Sequence, residues 1–205
     1  MAIIDILLNI DRCKNKLKRK IYERLISRPS SLRPMSRFIL EYSQNSNLVG
    51  AEIGIRYGNN AKTMLIYLPL SQLYLIDSYE AYLDWDGSFF SQNIQDKTWR
   101  MAHKKLSKYK EKLIWIRKTS NQAVKDIKDN SLDFCYIDGN HEYKYVVEDM
   151  FNYWIKVRPG GILGGHDIAI RHIPGVAKAL FEFLRQHNKC KWYIVGCDWW
   201  IIKEG

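Results

Sequence analysis

At 205 residues, with 46% hydrophobic side chains, the chain is one α/β-sized domain able to bury a sizeable core, which excludes two full domains and wholesale disorder. Its 32 Lys and Arg against 22 Asp and Glu leave a formal charge of +10, which bears on partners rather than on fold. Four cysteines, Cys13, Cys135, Cys190 and Cys197, form neither a C-x-x-C pair nor a zinc spacing, so buried or idle thiols are expected.

The first ten residues are apolar but interrupted by Asp5 and Asn9, far short of the roughly 18 residues a membrane span needs. They also lack a basic leader and a small-residue cleavage site, so a cytoplasmic protein is expected, with peripheral membrane contact left open. Ile3, Ile4, Leu7, Leu8, Leu17, Ile21 and Leu25 recur at helical spacing with basic residues between them. Residues 28–34, with Pro29 and Pro34, break this amphipathic helix, and a short helix is expected over 35–43. Residues 1–46 thus read as a basic amphipathic helical extension, ten cationic side chains against four anionic. Its basic face fits a solvated surface as well as a membrane surface, a second copy of the chain or a nucleic acid.

From residue 47 onward, short apolar runs alternate with longer periodic segments, the signature of βαβ units and a parallel sheet. Strands are expected at 48–55, 73–76, 113–117, 132–137, 161–164, 192–195 and 199–203, and helices at 60–67, 120–128, 142–157 and 174–187. The turn Gly196-Cys197-Asp198 is too short for a crossover, so the last two strands must pair antiparallel. The expected fold is a Rossmann-like, doubly wound α/β domain over 47–205, with a seven-stranded, mostly parallel sheet ending in an antiparallel hairpin. Residues 78–100 stand apart: Tyr79, Tyr82, Trp85, Phe89, Phe90 and Trp99 crowd a stretch with weak periodicity after the second strand. An aromatic insert there is either a lid over a ligand at the carboxyl edge of the sheet or a hydrophobic cover packed on it.

The first strand runs into Glu52-Ile53-Gly54-Ile55-Arg56-Tyr57-Gly58-Asn59-Asn60, where glycines permit a tight turn and close approach of a ligand. The dinucleotide fingerprint G-x-G-x-x-G is missing, which argues against a dehydrogenase. Asp77 ends the next strand, where a carboxylate can accept two hydrogen bonds from ribose hydroxyls. Downstream come Asp133-Phe134-Cys135-Tyr136-Ile137-Asp138-Gly139-Asn140-His141-Glu142-Tyr143, then Asp149, Trp154, Arg158-Pro159-Gly160-Gly161 and Gly165-His166-Asp167.

These ordered motifs resemble the class I S-adenosylmethionine-dependent methyltransferases, in particular the small O-methyltransferase branch that includes macrolide-sugar methyltransferases; the resemblance covers about three quarters of the chain. It implies S-adenosylmethionine over Glu52, Gly54, Arg56 and Gly58, with Asp77, Ser78, Thr119, Ser120 and Asp138 completing the cofactor site. It also implies a divalent cation, Mg2+ in the branch it resembles, on Asp138 and Asp167. His166 stands where some relatives carry a second acid; it is either a further ligand or a side chain turned away from the ion, since imidazole suits softer metals than magnesium. His141, three residues after Asp138, matches the histidine taken as general base, and a ring near its ordinary pKa can accept a proton at neutral pH. The expected reaction is metal-assisted O-methylation of a small, carbohydrate-like acceptor. Three rivals remain: an RNA methyltransferase, suggested by the basic extension; a metal-dependent hydrolase using Asp138, His141, His166 and Asp167; and a catalytically silent domain held at a membrane. The hydrolase reading leaves Glu52, Gly54, Gly58 and Asp77 without a task.

Overall fold

The computed structural model describes residues 32–83, 87–169 and 174–204. The amphipathic helix expected before residue 28, Cys13, Trp85 and His172 lie outside them. Element order is α1 (Pro34–Tyr42), β1 (Leu48–Ile53), α2 (Asn59–Tyr67), β2 (Leu70–Ile76), β3 (Tyr82–Leu83), β4 (Phe89–Phe90), α3 (Gln92–Leu106), β5 (Leu113–Ile116), α4 (Ser120–Ala123), β6 (Leu132–Ile137), α5 (Tyr143–Lys156), β7 (Val157–Gly165), α6 (Gly175–Gln186), β8 (Lys191–Val195) and β9 (Asp198–Ile202), with short 3-10 turns after α3 and α4. No described helix is long and apolar enough to cross a membrane.

Seven strands form one sheet in the order β5-β2-β1-β6-β7-β9-β8. The first five run parallel, while β9 pairs antiparallel with β7 and, across the two-residue turn Gly196-Cys197, with β8, so Asp198 belongs to the strand rather than to the turn. Period-two alternation divides the strand side chains between two cores. Ala51, Ile53, Cys135, Ile137, Trp199 and Ile201 face α5 and α6, whereas Phe134, Tyr136, Leu73, Leu75, Trp200 and Ile202 face α1 and α2. Both faces are covered, which explains why the central strands read as nearly continuous apolar runs.

Two expectations change. The extension drawn to residue 46 ends earlier in space, because Met35, Phe38 and Ile39 of α1 belong to the core that holds β1 and β2. Proline at the first helical position and an apolar stripe make α1 part of the sheet's cover. The aromatic insert is not one unit: Tyr82–Leu83 pairs antiparallel with Phe89–Phe90, and a 15-residue helix, α3, starts at Gln92. The helical period was faint because α3 turns Gln95 and Thr98 inward along with Ala102 and Leu106.

Candidate active site at the carboxyl edge of the sheet

The tips of β1, β2 and β6 are joined by their backbones: Gly54 N–H donates to Ile76 O at 2.9 Å, and Asp138 N–H to Ile53 O at 2.8 Å. At this junction Gly54 has φ +83°, and a Cβ there would lie 2.1 Å from the Asp138 carbonyl oxygen, so only glycine fits. Arg56 and Gly58 are also left-handed, at φ +48° and +69°, and the loop ends in α2. Gly58 does not open toward the cleft, since a Cβ on it would meet Leu106 of α3 at 3.0 Å. Its freedom serves the turn and the seating of α3.

Asp77 braces this loop. Its Oδ2 accepts hydrogen bonds from the amides of Ile55 and Arg56, both at 2.9 Å, and its Oδ1 from the Tyr79 amide at 2.9 Å. Three of a carboxylate's roughly four acceptor positions are thus committed to backbone, which narrows the expected ribose contact to what remains. Tyr79, counted in the sequence among lid aromatics, is buried and donates its hydroxyl to the Arg56 carbonyl at 2.9 Å. The stacked pair Tyr82 and Phe90 stands beside the loop, with the Arg56 guanidinium 5.9 Å from the Phe90 ring. Trp99 instead packs against His103, which stacks in turn on Trp115 of β5.

Beneath the loop, Glu52 is 1% exposed; its Oε1 accepts from the Asn60 amide at 3.0 Å and its Oε2 has no hydrogen-bond partner. Burial pushes its carboxyl up to about 8, with Asn60 opposing and the charge of Asp138 adding to the rise. The remaining cofactor-side residues are less directly placed. Ser78 Oγ accepts from the Glu80 amide at 3.3 Å. Thr119 is exposed at the start of α4, and the Ser120 carbonyl receives the Tyr153 hydroxyl at 3.0 Å. Ser120 also bonds the buried Asp149 on α5, whose carboxyl burial raises to about 7. That contact ties Ser120 to α5 rather than to the cleft.

On the other half of the edge, ligand atoms of Asp138, His141 and Asp167 lie within 4.8 Å of one another. Asp138 follows β6; Asn140 Oδ1 accepts from the Glu142 amide at 2.8 Å and shapes the turn that carries His141 inward. Asp167 follows β7 in a left-handed conformation, φ +63°, which aims its carboxylate back over β6. His141 Nε2 lies 2.6 Å from Asp167 Oδ2, and His166 Nδ1 lies 2.6 Å from Asp167 Oδ1. Burial alone would raise the Asp167 carboxyl, but the two imidazoles overcome it and hold the group below the usual carboxylate range. Among the described residues, then, the convergent set is Asp138, His141 and Asp167. His166, expected as a possible third ligand, is engaged with Asp167, its Nε2 3.8 Å from Asp198 Oδ1.

Three contributors escaped sequence reasoning. Arg33, just before α1, donates to Asp138 Oδ2 at 2.6 Å and to the Tyr136 hydroxyl at 3.0 Å. Tyr136 donates to Asp198 Oδ1 at 2.8 Å, and Asp198 Oδ2 accepts from the Met35 amide at 2.9 Å. Burial raises the Asp138 carboxyl despite Arg33, and raises Asp198 likewise. The one signal available for Asp198 was an acid opening a fully buried strand; Arg33 was one basic residue among ten in its segment.

The donor set of two carboxylates and an imidazole fits a divalent cation, more comfortably one that accepts mixed oxygen and nitrogen ligands than magnesium, which prefers oxygen alone. A loop braced for close approach beside a cluster able to hold a cation and take up a proton suits group transfer between two bound molecules.

Comparison with known proteins agrees with this layout. A Corynebacterium glutamicum protein of known structure superposes with a TM-score of 0.63 at 11% identity, covering 99% of this chain and 98% of that one. The O-methyltransferase NovP gives 0.62 at 13% identity, covering 83% and 78%. TomG, an O-methyltransferase from Streptomyces achromogenes involved in tomaymycin synthesis and solved with S-adenosylmethionine, gives 0.60 at 12%, covering 94% and 91%. At such identities these likenesses establish the fold. A curated relative, uncharacterized protein y4gI of Sinorhizobium fredii, is 29% identical over 101 residues, which are 49% of this chain but only 10% of that protein's length. A family model described as a methyltransferase domain matches residues 51–168, more than half of the sequence and the whole stretch from the β1 tip through Asp167. The chain therefore belongs to the methyltransferase-domain family and carries the Rossmann-like fold of the class I methyltransferases.

Proposed function

We propose that the protein transfers the methyl group of S-adenosylmethionine to a hydroxyl of a small, carbohydrate-like molecule. The observation that carries this reading is the pairing of the two halves of the edge: the Gly54 loop braced by Asp77, and the convergence of Asp138, His141 and Asp167 beside it. The acceptor oxygen attacks the sulfonium methyl carbon, the S–CH3 bond breaks, its electron pair stays on sulfur, and S-adenosylhomocysteine departs as a neutral thioether. The hydroxyl proton must go to a base. His141 is the group placed to take it, and the Asp167 carboxylate, 2.6 Å from His141 Nε2, stabilises the imidazolium that forms. A divalent cation on Asp138 and Asp167 would lower the pKa of a hydroxyl bound to it. The loop holds the methyl donor, and the aromatic hairpin beside Arg56 offers faces against which an apolar ring surface can rest.

Calorimetry with S-adenosylhomocysteine tests the donor half, and rate measurements on a panel of sugar acceptors test the other. His141→Ala should leave S-adenosylhomocysteine affinity unchanged while lowering turnover about 10²- to 10⁴-fold, the usual contribution of a general base. If the variant instead loses Mn2+ binding in a spin-resonance titration, His141 is a metal ligand. Wild-type turnover in the variant would remove it from the chemistry.

A further inference from the structure

The proposed methyl-transfer site makes no use of the most concentrated positive charge among the described residues. Residues 92–118 carry nine Lys and Arg against two acids, Asp96 and Glu111. Asp96 is taken by Arg117, whereas Lys62, Lys97, Lys104 and Lys108 have no carboxylate within 4.0 Å among the described residues. Burial and the nearby charge of Lys62 together depress the Lys105 amine, a sign of how closely cations crowd α2 and α3.

The helix α3 sorts this charge. Gln95, Thr98, Ala102 and Leu106 face the protein, so the outward stripe is Ile94, Lys97, Met101 and Lys104, neighbours at i, i+3, i+7 and i+10, with Lys108 following in the next turn. Ile94 and Met101 are 45% and 47% exposed in the middle of these lysines. The surface is therefore aliphatic and cationic at once.

Its charge selects the occupant. A second copy would bring lysines against lysines, and the basic segment 1–31 of this chain would be repelled in the same way. The partner is therefore anionic. Isolated aliphatic side chains between flexible lysines match acyl chains below a layer of headgroups, whereas single-stranded nucleic acid favours aromatic platforms and the planar fork of arginine. We propose that the outward face of α3 is a docking surface for an anionic phospholipid bilayer, with Lys97, Lys104 and Lys108 at the headgroups and Ile94 and Met101 dipping beneath them.

Sedimentation of the full chain with vesicles tests this independently of any methyl transfer. Phosphatidylcholine vesicles containing about a third phosphatidylserine should retain the protein, and neutral vesicles should not, with retention falling as salt rises. Each lysine at such a surface strengthens binding about fivefold, so Lys97→Gln/Lys104→Gln/Lys108→Gln should lose about 100-fold. Ile94→Ser/Met101→Ser should weaken the salt-resistant part. The proposal is overturned if the triple variant, melting like the wild type, binds as well as it does, which would assign retention to residues 1–31. Equal binding to neutral vesicles overturns it too, as does displacement by single-stranded RNA at matched charge that marks a nucleic-acid surface. Single Lys→Gln variants, each expected to lose about fivefold, serve if the triple variant melts early.

Discussion

The two halves of the carboxyl edge are built in different ways. The Gly54 half is a backbone construction: Gly54 is locked between two strand tips, and the amides of Ile55, Arg56 and Tyr79 converge on one carboxylate. The half around Asp138 and Asp167 is made of side chains from four distant parts of the chain, with Arg33, Tyr136, His166 and Asp198 supporting the two carboxylates. A backbone site is local in sequence and intolerant of any added atom. A side-chain site is scattered and should degrade one contact at a time.

That contrast can be broken most sharply at Gly54. Gly54→Ala adds a Cβ 2.1 Å from a carbonyl at a positive φ, which together should cost about 3 kcal/mol or more and abolish S-adenosylhomocysteine binding, as read by thermal melting and calorimetry. A variant that melts and binds normally would mean that the loop yields easily. On the other half, Arg33→Ala removes a charged hydrogen bond to Asp138 and another to Tyr136, and should cost about 1–3 kcal/mol by chemical denaturation while S-adenosylhomocysteine still binds. Loss of that binding in parallel would show the halves to be one cooperative unit.

A third effect is read through pH and concerns Glu52, whose carboxyl burial pushes up to about 8 from an ordinary value near 4.5. The folded state therefore holds this proton more tightly than the unfolded chain, and its contribution is complete below about pH 4.5 and lost as pH rises through about 8. Glu52→Gln cannot ionise, so it should melt clearly above the wild type at pH 8 to 9, with the gap closing near pH 4.5. Parallel melting across that window would mean that Glu52 ionises normally where it stands.

The same contrast decides what the sequence could reveal. Glu52, Gly54 and Asp77 were legible because a turn between two strands and an acid at a strand end follow from spacing alone. The seven strands were legible because both faces of the sheet are covered, which writes apolar runs into the chain. Asp138 and Asp167 could be paired once β6 and β7 were taken as neighbours. Arg33 and Asp198 were not legible, because their meaning comes from contacts 105 and 163 residues away along the chain with Asp138 and Met35. The helix α3 hid behind inward-facing Gln95 and Thr98, and Gly58 was credited to a ligand when its neighbour is Leu106.

The hydrogen bond from the Met35 amide to Asp198 also sets an order of events during synthesis. Asp198 opens β9, the strand inserted between β7 and β8, and it is made long after the loop at Gly54 has left the ribosome. Until β9 takes its place, the start of α1 lacks its buried anchor, and Arg33 is held only by Asp138 and by a Tyr136 hydroxyl whose own acceptor is missing. The Gly54 half can form while the chain is still growing, as N-terminal parts of a domain commonly do. The support around Asp138 is completed only with the antiparallel hairpin, so an unfinished chain would carry the braced Gly54 loop without it.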